Sequence, residues 1–334
     1  MPTFQHLSKR NPTVSATELL ETFVPAQRFT QVSFENFIPD SNYPSQSQAV
    51  VELEKFAQGI VPAKKSLFSR FSKQKSNVAG IYLDGGFGVG KTHLLTSLWK
   101  VAPQEKAIGT FVEYTNFVGA LGFHKAVELL KNYKLICIDE FELDDPGDTV
   151  LMSRLMRELA DHGVKLAATS NTLPGALGEG RFAAEDFQRE IQVLSKQFEV
   201  LRIDGEDYRQ QENTSISAPS TPEQLQEYLE HCNPETTSVD EFSQLVKHLS
   251  VVHPSRYKKM VAGLKHVVFE NVIPLEHIDK ALRFVVLIDR LYDSEVSLKY
   301  SGTSLEQIFP AEMLSSGYQK KFYRCLSRLS TMTS

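Results

Sequence analysis

Between residues 79 and about 208, short apolar runs alternate with longer stretches of helical period, the pattern of a parallel sheet with crossover helices. The runs that predict strands are Ile81-Tyr82-Leu83, Gly109-Thr110-Phe111-Val112-Glu113, Leu135-Ile136-Cys137-Ile138, Leu166-Ala167-Ala168-Thr169 and Val200-Leu201-Arg202-Ile203. Strands buried on both faces read as near-continuous apolar runs, and most of these do. Ahead of them lies a lead-in, residues 1–78, in which the amphipathic stretch 49–57 predicts a helix. It closes on KKSLFSRFSKQKS, residues 64–76, which reads as a solvated linker, with contact to an anionic partner as the sharper alternative.

Past the alternating zone, ENTSISAPSTP at 212–222 is a Ser/Thr/Pro-rich break and the expected domain boundary. Thr221 offers an N-cap, with Pro222 at the first helical position. Helical patterns follow, with an apolar run at His266 to Phe269 and a helix from Ile278 to Tyr292. A strand-like Val296 to Tyr300 and a final helix from about Gly317 complete the chain. Ile278, Ala281, Leu282, Val285, Ile288 and Tyr292 share one helical face and are expected to be core. The expected organisation is the lead-in, a core at 79–211, and a smaller, mixed α/β but mainly helical region at 212–334.

A chain of 334 residues buries roughly 75% of its extended surface, enough for one large domain and a smaller one. A net charge of −5 argues against a general nucleic-acid binder, so no stable nucleic-acid binding is expected. Cys137, Cys232 and Cys325 are scattered and odd in number, which suits reduced thiols rather than a disulfide framework. The start lacks a continuous apolar segment of signal-peptide type. The late run Phe284 to Ile288 is far short of the ~20 residues a bilayer span needs. A soluble, cytoplasmic protein is the expectation.

GGFGVGKT, from Gly85 through Gly86, Phe87, Gly88, Val89, Gly90 and Lys91 to Thr92, fits G-x-x-x-x-G-K-[ST] in full. It follows a predicted strand and precedes a helical pattern. Glycines let such a loop turn its backbone N–H groups toward a phosphate, and a helix N-terminus adds a favourable dipole. Lys91 is then expected at the β- and γ-phosphates of ATP, and the Thr92 hydroxyl on Mg²⁺. Leu135 to Ile138 leads into Asp139-Glu140, an apolar strand ending in two carboxylates. Asp139 is the candidate for the Mg²⁺ shell and Glu140 for polarising the attacking water. Asn171 ends Ala168-Thr169-Ser170-Asn171, where a polar side chain can lie between loop and carboxylates. The fold class expected is α/β, a P-loop NTPase (AAA+-like) sheet with flanking helices. Arg181, Arg189, Arg283, Arg324 and Arg328 are candidates for an arginine that completes a neighbour's site, with Arg189 and Arg181, just beyond Asn171, slightly favoured over Arg328.

Beyond the nucleotide motifs, the chain resembles the ZapE-type ATPases, a family of cell-division-associated AAA+ proteins. Phe34-Glu35-Asn36-Phe37 with Pro44-Ser45-Gln46 is similar to its lead-in, and Asp139-Glu140-Phe141, Asp148 and 168–171 to its central block. Asp207-Tyr208-Arg209 is similar to the close of that block. Arg283-Phe284, Ile288-Asp289, Leu291-Tyr292-Asp293, Arg324 and Ser327-Arg328-Leu329 resemble its C-terminal signatures. One departure is GEGRFAAEDFQREI, where Arg181 is displaced and the helix start lacks proline, a pattern similar to an actinobacterial branch. The resemblance implies AAA+ architecture, ATP hydrolysis, an ATP-dependent homo-oligomer, and a protein substrate near the FtsZ division ring. Two other readings stay open. One is a helicase loader or transposition helper, which would share the Lys-Thr-His-Leu run at 91–94. The other is a nucleotide-gated scaffold that does not hydrolyse.

Overall fold

A stripe of small and apolar residues sets the first long helix, α1 (Pro44–Ile60), which buries Gln46, Ala49, Leu53, Ala57 and Ile60 at steps of three and four. The computed structural model describes residues 3–60, 79–86, 88–141, 146–171, 198–206 and 216–334. Phe87, the basic segment 64–76, Arg181, Arg189 and Asp207-Tyr208-Arg209 lie outside the described residues. The described residues fall into two compact units. One is drawn from Met1–Glu18, Ala26–Arg28 and Asn213–Ser334, the other from Leu19–Pro25 and Phe29–Glu212.

The larger unit is built on five parallel strands, β1 (Gly80–Gly85), β2 (Lys106–Thr110), β3 (Leu135–Asp139), β4 (Lys165–Ser170) and β5 (Phe198–Ile203), in the order β2-β3-β4-β1-β5. Helices α2 (Lys91–Val101), α3 (Phe111–Leu121), α4 (Phe123–Leu130) and α5 (Pro146–Asp161) connect them. Central β1, β3 and β4 are buried almost throughout, as their unbroken apolar runs require. The edge strand β5 is not, and Val200 stands 41% exposed. This is the parallel α/β sheet expected of a P-loop NTPase.

One strand ends earlier than its pattern indicates. The run Gly109 to Glu113 predicts strand, but β2 ends at Thr110 and Phe111 opens α3. The Thr110 hydroxyl accepts from Glu113 N at 3.2 Å, and the Glu113 carboxylate accepts from Thr110 N at 2.7 Å. This capping box satisfies N–H groups that a new helix leaves open, and it outweighs the β-propensity of Phe111 and Val112.

The smaller unit has its own parallel sheet, β6 (Thr237–Glu241), β7 (His266–Val272) and β8 (Ser297–Gly302), in that spatial order. Its main helices are α6 (Pro222–Glu230), α7 (Phe242–Val251), α8 (Ile278–Asp293) and α9 (Gln319–Thr333). Thr221 caps α6 as its sequence indicates, accepting from Gln224 N at 3.3 Å, with Pro222 in the first turn. Helix α8 is buried on more than the one expected face. Phe284, Leu287 and Leu291 join Ala281, Val285 and Ile288 at 0–2% exposure, while Ile278 is 40% exposed. The reason is that α7 and α9 both pack against it.

The N-terminal residues belong to this smaller unit. Gln5 bridges Ser238 of β6 in parallel, and Leu7 is wholly buried in its core. The buried Asp240 carboxylate accepts from Leu7 N at 2.9 Å and Ser8 N at 2.8 Å.

Candidate functional site

Strand order decides which side chains can meet. β4 lies between β1 and β3, so the residues that follow β4 stand between the glycine-rich loop after β1 and the carboxylates that end β3. In parallel sheets the carboxyl ends of the strands, where connections diverge, are where ligands bind.

The loop is closely packed at both ends. A side-chain carbon on Gly85 would lie 2.3 Å from Ile203 O of β5. Gly90 precedes α2 at φ +88°, in the left-handed region, and a Cβ there would lie 2.6 Å from the Phe37 ring. From the first turn of α2, Lys91 turns back over the loop. Its Nζ donates to Gly85 O at 2.8 Å, to Gly86 O, and to Asn171 Oδ1 at 2.8 Å. The next residue, Thr92, donates its hydroxyl to Asp139 Oδ2 at 3.0 Å and Oδ1 at 3.2 Å.

Thus Lys91, Thr92, Asp139 and Asn171, singled out from separate stretches of pattern, converge at one sheet edge. Glu140 follows Asp139 with a left-handed φ of 53° and donates its N–H to Thr169 Oγ1 at 3.0 Å. Burial, and after it the Glu140 charge, pushes the Asp139 carboxyl above its ordinary value, while the Thr169 and Thr92 hydroxyls pull it down. A lysine ammonium, a helix N-terminus and paired oxygen donors brought together at the carboxyl ends of the strands suit a polyanion with a hard divalent cation.

Other residues here were not singled out by pattern. Asp84 ends the apolar run of β1, is 4% exposed, and lies 3.6 Å from Arg202 Nη1 of β5. Burial pushes its carboxyl up, against the pull of Arg202 and Lys91. Arg202 also binds the Asp204 carboxylate at 2.8 Å. The family-like lead-in flanks this corner. Ser45 Oγ accepts from Asp204 N at 2.9 Å, Gln46 Nε2 donates to Asp204 O at 2.9 Å, and His93 Nε2 donates to Ser33 O at 2.9 Å. Thr169 is the other addition, noticed in sequence only as part of a quartet.

The candidate arginines within the described residues have partners in the smaller unit. Arg283 donates to Leu249 O and Val252 O, both at 2.9 Å, closing the C-terminal end of α7. Arg324 pairs with Asp289 at 3.1 Å, and Arg328, 8% exposed, pairs with the same carboxylate. Of the family-like residues of α8 and α9, Asp289, Arg324 and Arg328 thus form an ion-pair cluster, while Phe284, Ile288, Leu291 and Leu329 belong to the apolar core.

The sequence model of the AFG1-like ATPase family matches residues 13–235 and 231–334. The cell division protein ZapE of Escherichia coli K12 is 24% identical over 348 aligned positions, covering 86% of this chain and 91% of that protein. The uncharacterized protein C115.02c of Schizosaccharomyces pombe is 26% identical, covering 76% of this chain and 72% of its own length. Among solved structures, that of DnaI aligns at a TM-score of 0.44 and 16% identity, over 56% of this chain and 98% of that one. With the family match running from residue 13 to the last residue, the chain belongs to the AFG1-like ATPase family and is an ATP-hydrolysing enzyme.

Proposed function

We propose that this ATPase is Mg²⁺-dependent and couples hydrolysis to remodelling a protein partner in bacterial cell division. The observation that carries the chemical half is the convergence of Thr92 on Asp139 at 3.0 Å beside the Lys91–Asn171 pair. The donor set fits Mg²⁺: both groups are oxygens, and Asp139 is buried next to a second carboxylate, a concentration of negative charge that a divalent cation relieves. When bound, Mg²⁺ supplies charge neutralisation at the phosphates.

In this reading the backbone of Gly85, Gly86, Phe87, Gly88, Val89 and Gly90 cradles the phosphates of ATP, within a core at 79–211. Lys91 neutralises the β- and γ-phosphates, and Thr92 and Asp139 hold the ion. Glu140 polarises the attacking water. Asn171, its oxygen already turned to Lys91, offers its amide N–H groups to the γ-phosphate or the water. Arg181 or Arg189 completes the site of a neighbouring copy, since Arg283 and Arg328 are engaged within their own unit.

The biological half rests on the name of the Escherichia coli relative and on the family resemblance, with the FtsZ ring as the target and the cytoplasm as the place. Among the described residues no helix is long and apolar enough to cross a membrane. The Lys-Thr-His-Leu run does not favour a helicase loader, because His93 has a local task in holding the Ser33 carbonyl.

One set of measurements tests this. By calorimetry, Lys91→Ala loses tight ATP binding, whereas Glu140→Gln keeps it and lowers turnover by about 10²–10⁴. In ATP, Glu140→Gln holds an assembled state that retains division-ring protein in a pull-down. An equimolar mixture of Lys91→Ala with Arg181→Ala or Arg189→Ala regains hydrolysis. Undiminished ATP affinity in Lys91→Ala removes the chemical half. A monomer in ATP, with no rescue and no retained partner, removes the rest.

A further inference from the structure

The pairing of β3 with β4 runs from Leu135 opposite Lys165 to Ile138 opposite Ala168, and there the ladder stops. The three residues that follow, Asp139, Glu140 and Phe141, are each held by one residue of β4. The Thr169 hydroxyl donates to Asp139 Oδ1 at 2.5 Å and accepts from Glu140 N at 3.0 Å. The Thr169 carbonyl accepts from Phe141 N at 2.7 Å. That last bond seats a ring that is 1% exposed and packs edge-on against Tyr82 and Phe111. Between those fixed points Glu140 takes its left-handed φ of 53°, a backbone conformation that a glutamate does not favour alone.

We propose that Thr169 is a positioning residue for hydrolysis: its hydroxyl orients the Asp139 carboxylate toward the metal position and holds Glu140 in the conformation from which it addresses water. Thr169 is 1% exposed, so it acts through these two residues rather than on the nucleotide. The hydroxyl has one proton to give and lone pairs to accept, and the carboxylate and the N–H use one of each. Thr92, the other hydroxyl on Asp139, is assigned to the ion, which leaves Thr169 as the group dedicated to the carboxylate. Groups that hold a ligating carboxylate change metal affinity or activity by about 10–100-fold when removed. The inference rests on the reading of Asp139 as a Mg²⁺ ligand and Glu140 as the group that polarises water.

The test compares Thr169→Val, which keeps shape and strand propensity but loses the hydroxyl, with Thr169→Ser, which restores it. Binding of a fluorescent ATP analogue is titrated with Mg²⁺, and turnover is measured alongside. Thr169→Val will need about 10–100-fold more Mg²⁺ for half-maximal binding and will turn over more slowly at saturation. Thr169→Ser will return both to within a few-fold of the parent. If the valine variant does not fold, Thr169→Ala carries the same expectation. A valine or alanine variant with the parent's Mg²⁺ requirement and turnover overturns the proposal, as does a serine variant as impaired as valine, which would make shape the cause. Lys91→Ala, run in parallel, separates the two levels. Loss of ATP binding there, with a normal valine variant, removes only the role of Thr169, whereas retained binding removes the underlying reading.

Discussion

An ammonium group can only donate, so the 2.8 Å contact with Lys91 Nζ turns the Asn171 amide oxygen toward the lysine. The amide nitrogen, a donor, then lies on the other side of the group. On the proposed role of Asn171 as a donor to the γ-phosphate or the water, Asn171→Ala will lower kcat by about 10²–10³, the cost of one donor to developing charge, while ATP affinity changes far less. Steady-state kinetics beside calorimetry will check this, and an equal loss in affinity would make Asn171 only a support for Lys91. The loop from Gly85 to Thr92 and the strand ending in Asp139-Glu140 were visible in the sequence as candidates because each is a local pattern, and the structure brings Thr92 against Asp139. Thr169 and Asp84 were not. A threonine in a strand reads as a β-former, and an aspartate after Ile81-Tyr82-Leu83 reads as the start of a loop. Their meaning depends on partners elsewhere in the chain, Asp139 for one and Arg202 for the other. The left-handed Glu140 was equally invisible, and such backbone costs about 1–2 kcal/mol for a residue other than glycine.

Elements were legible where one force dominated and misread where two competed. The helix at α1 follows from apolar periodicity and the strands β1, β3 and β4 from unbroken apolar runs, since burial sets both their position and their type. At the end of β2 an apolar pair, Phe111-Val112, lies beside a Thr-x-x-Glu capping box, and the cap prevailed. The box is a sequence signal, so this boundary was readable in principle. Thr110→Ala will lower stability by about 1 kcal/mol, within the range of roughly 0.5–2 for such caps, and denaturant titration will measure it. An unchanged midpoint would mean that packing of Phe111 and Phe117 alone starts α3. The bridge of Gln5 to β6 belongs to another class, because no local pattern indicates that the first residues pair with a strand so distant in the chain. Parallel β6 itself, Thr-Ser-Val-Asp-Glu, is too polar to read as a strand, and its buried Ser238 and Asp240 serve that bridge and the Leu7 turn.

At the scale of the molecule, the smaller unit is tied together across its sequence by a cluster of charges. Asp289 of α8 meets Arg324 and Arg328 of α9, and Asp293 lies 3.6 Å from both Arg290 and Arg28 of the lead-in. The Tyr292 ring takes Arg28 at 4.4 Å and Arg328 at 5.3 Å from its centroid. Burial acts to raise the Asp289 carboxyl, but Arg328, Arg324 and Arg290 outweigh it and hold the group below its ordinary value. A carboxyl depressed in the folded state contributes stability above its unfolded value, about 3.9, and loses that contribution as pH falls through the folded value. Asp293 has the opposite sign, since burial raises it despite Arg328, Arg290 and Arg28, so acid does not remove a contribution there. Asp289→Asn will cost about 3–5 kcal/mol at neutral pH, because the arginines stay buried without the carboxylate they surround. The difference between parent and variant will shrink as pH drops below about 4, where the unfolded parent takes up a proton at Asp289 before the folded protein does. Chemical denaturation of both proteins at several pH values, from about 7 to about 3, measures that difference directly. A difference that stays constant through this range would mean that packing around residue 289, rather than its charge, holds α8 and α9 together.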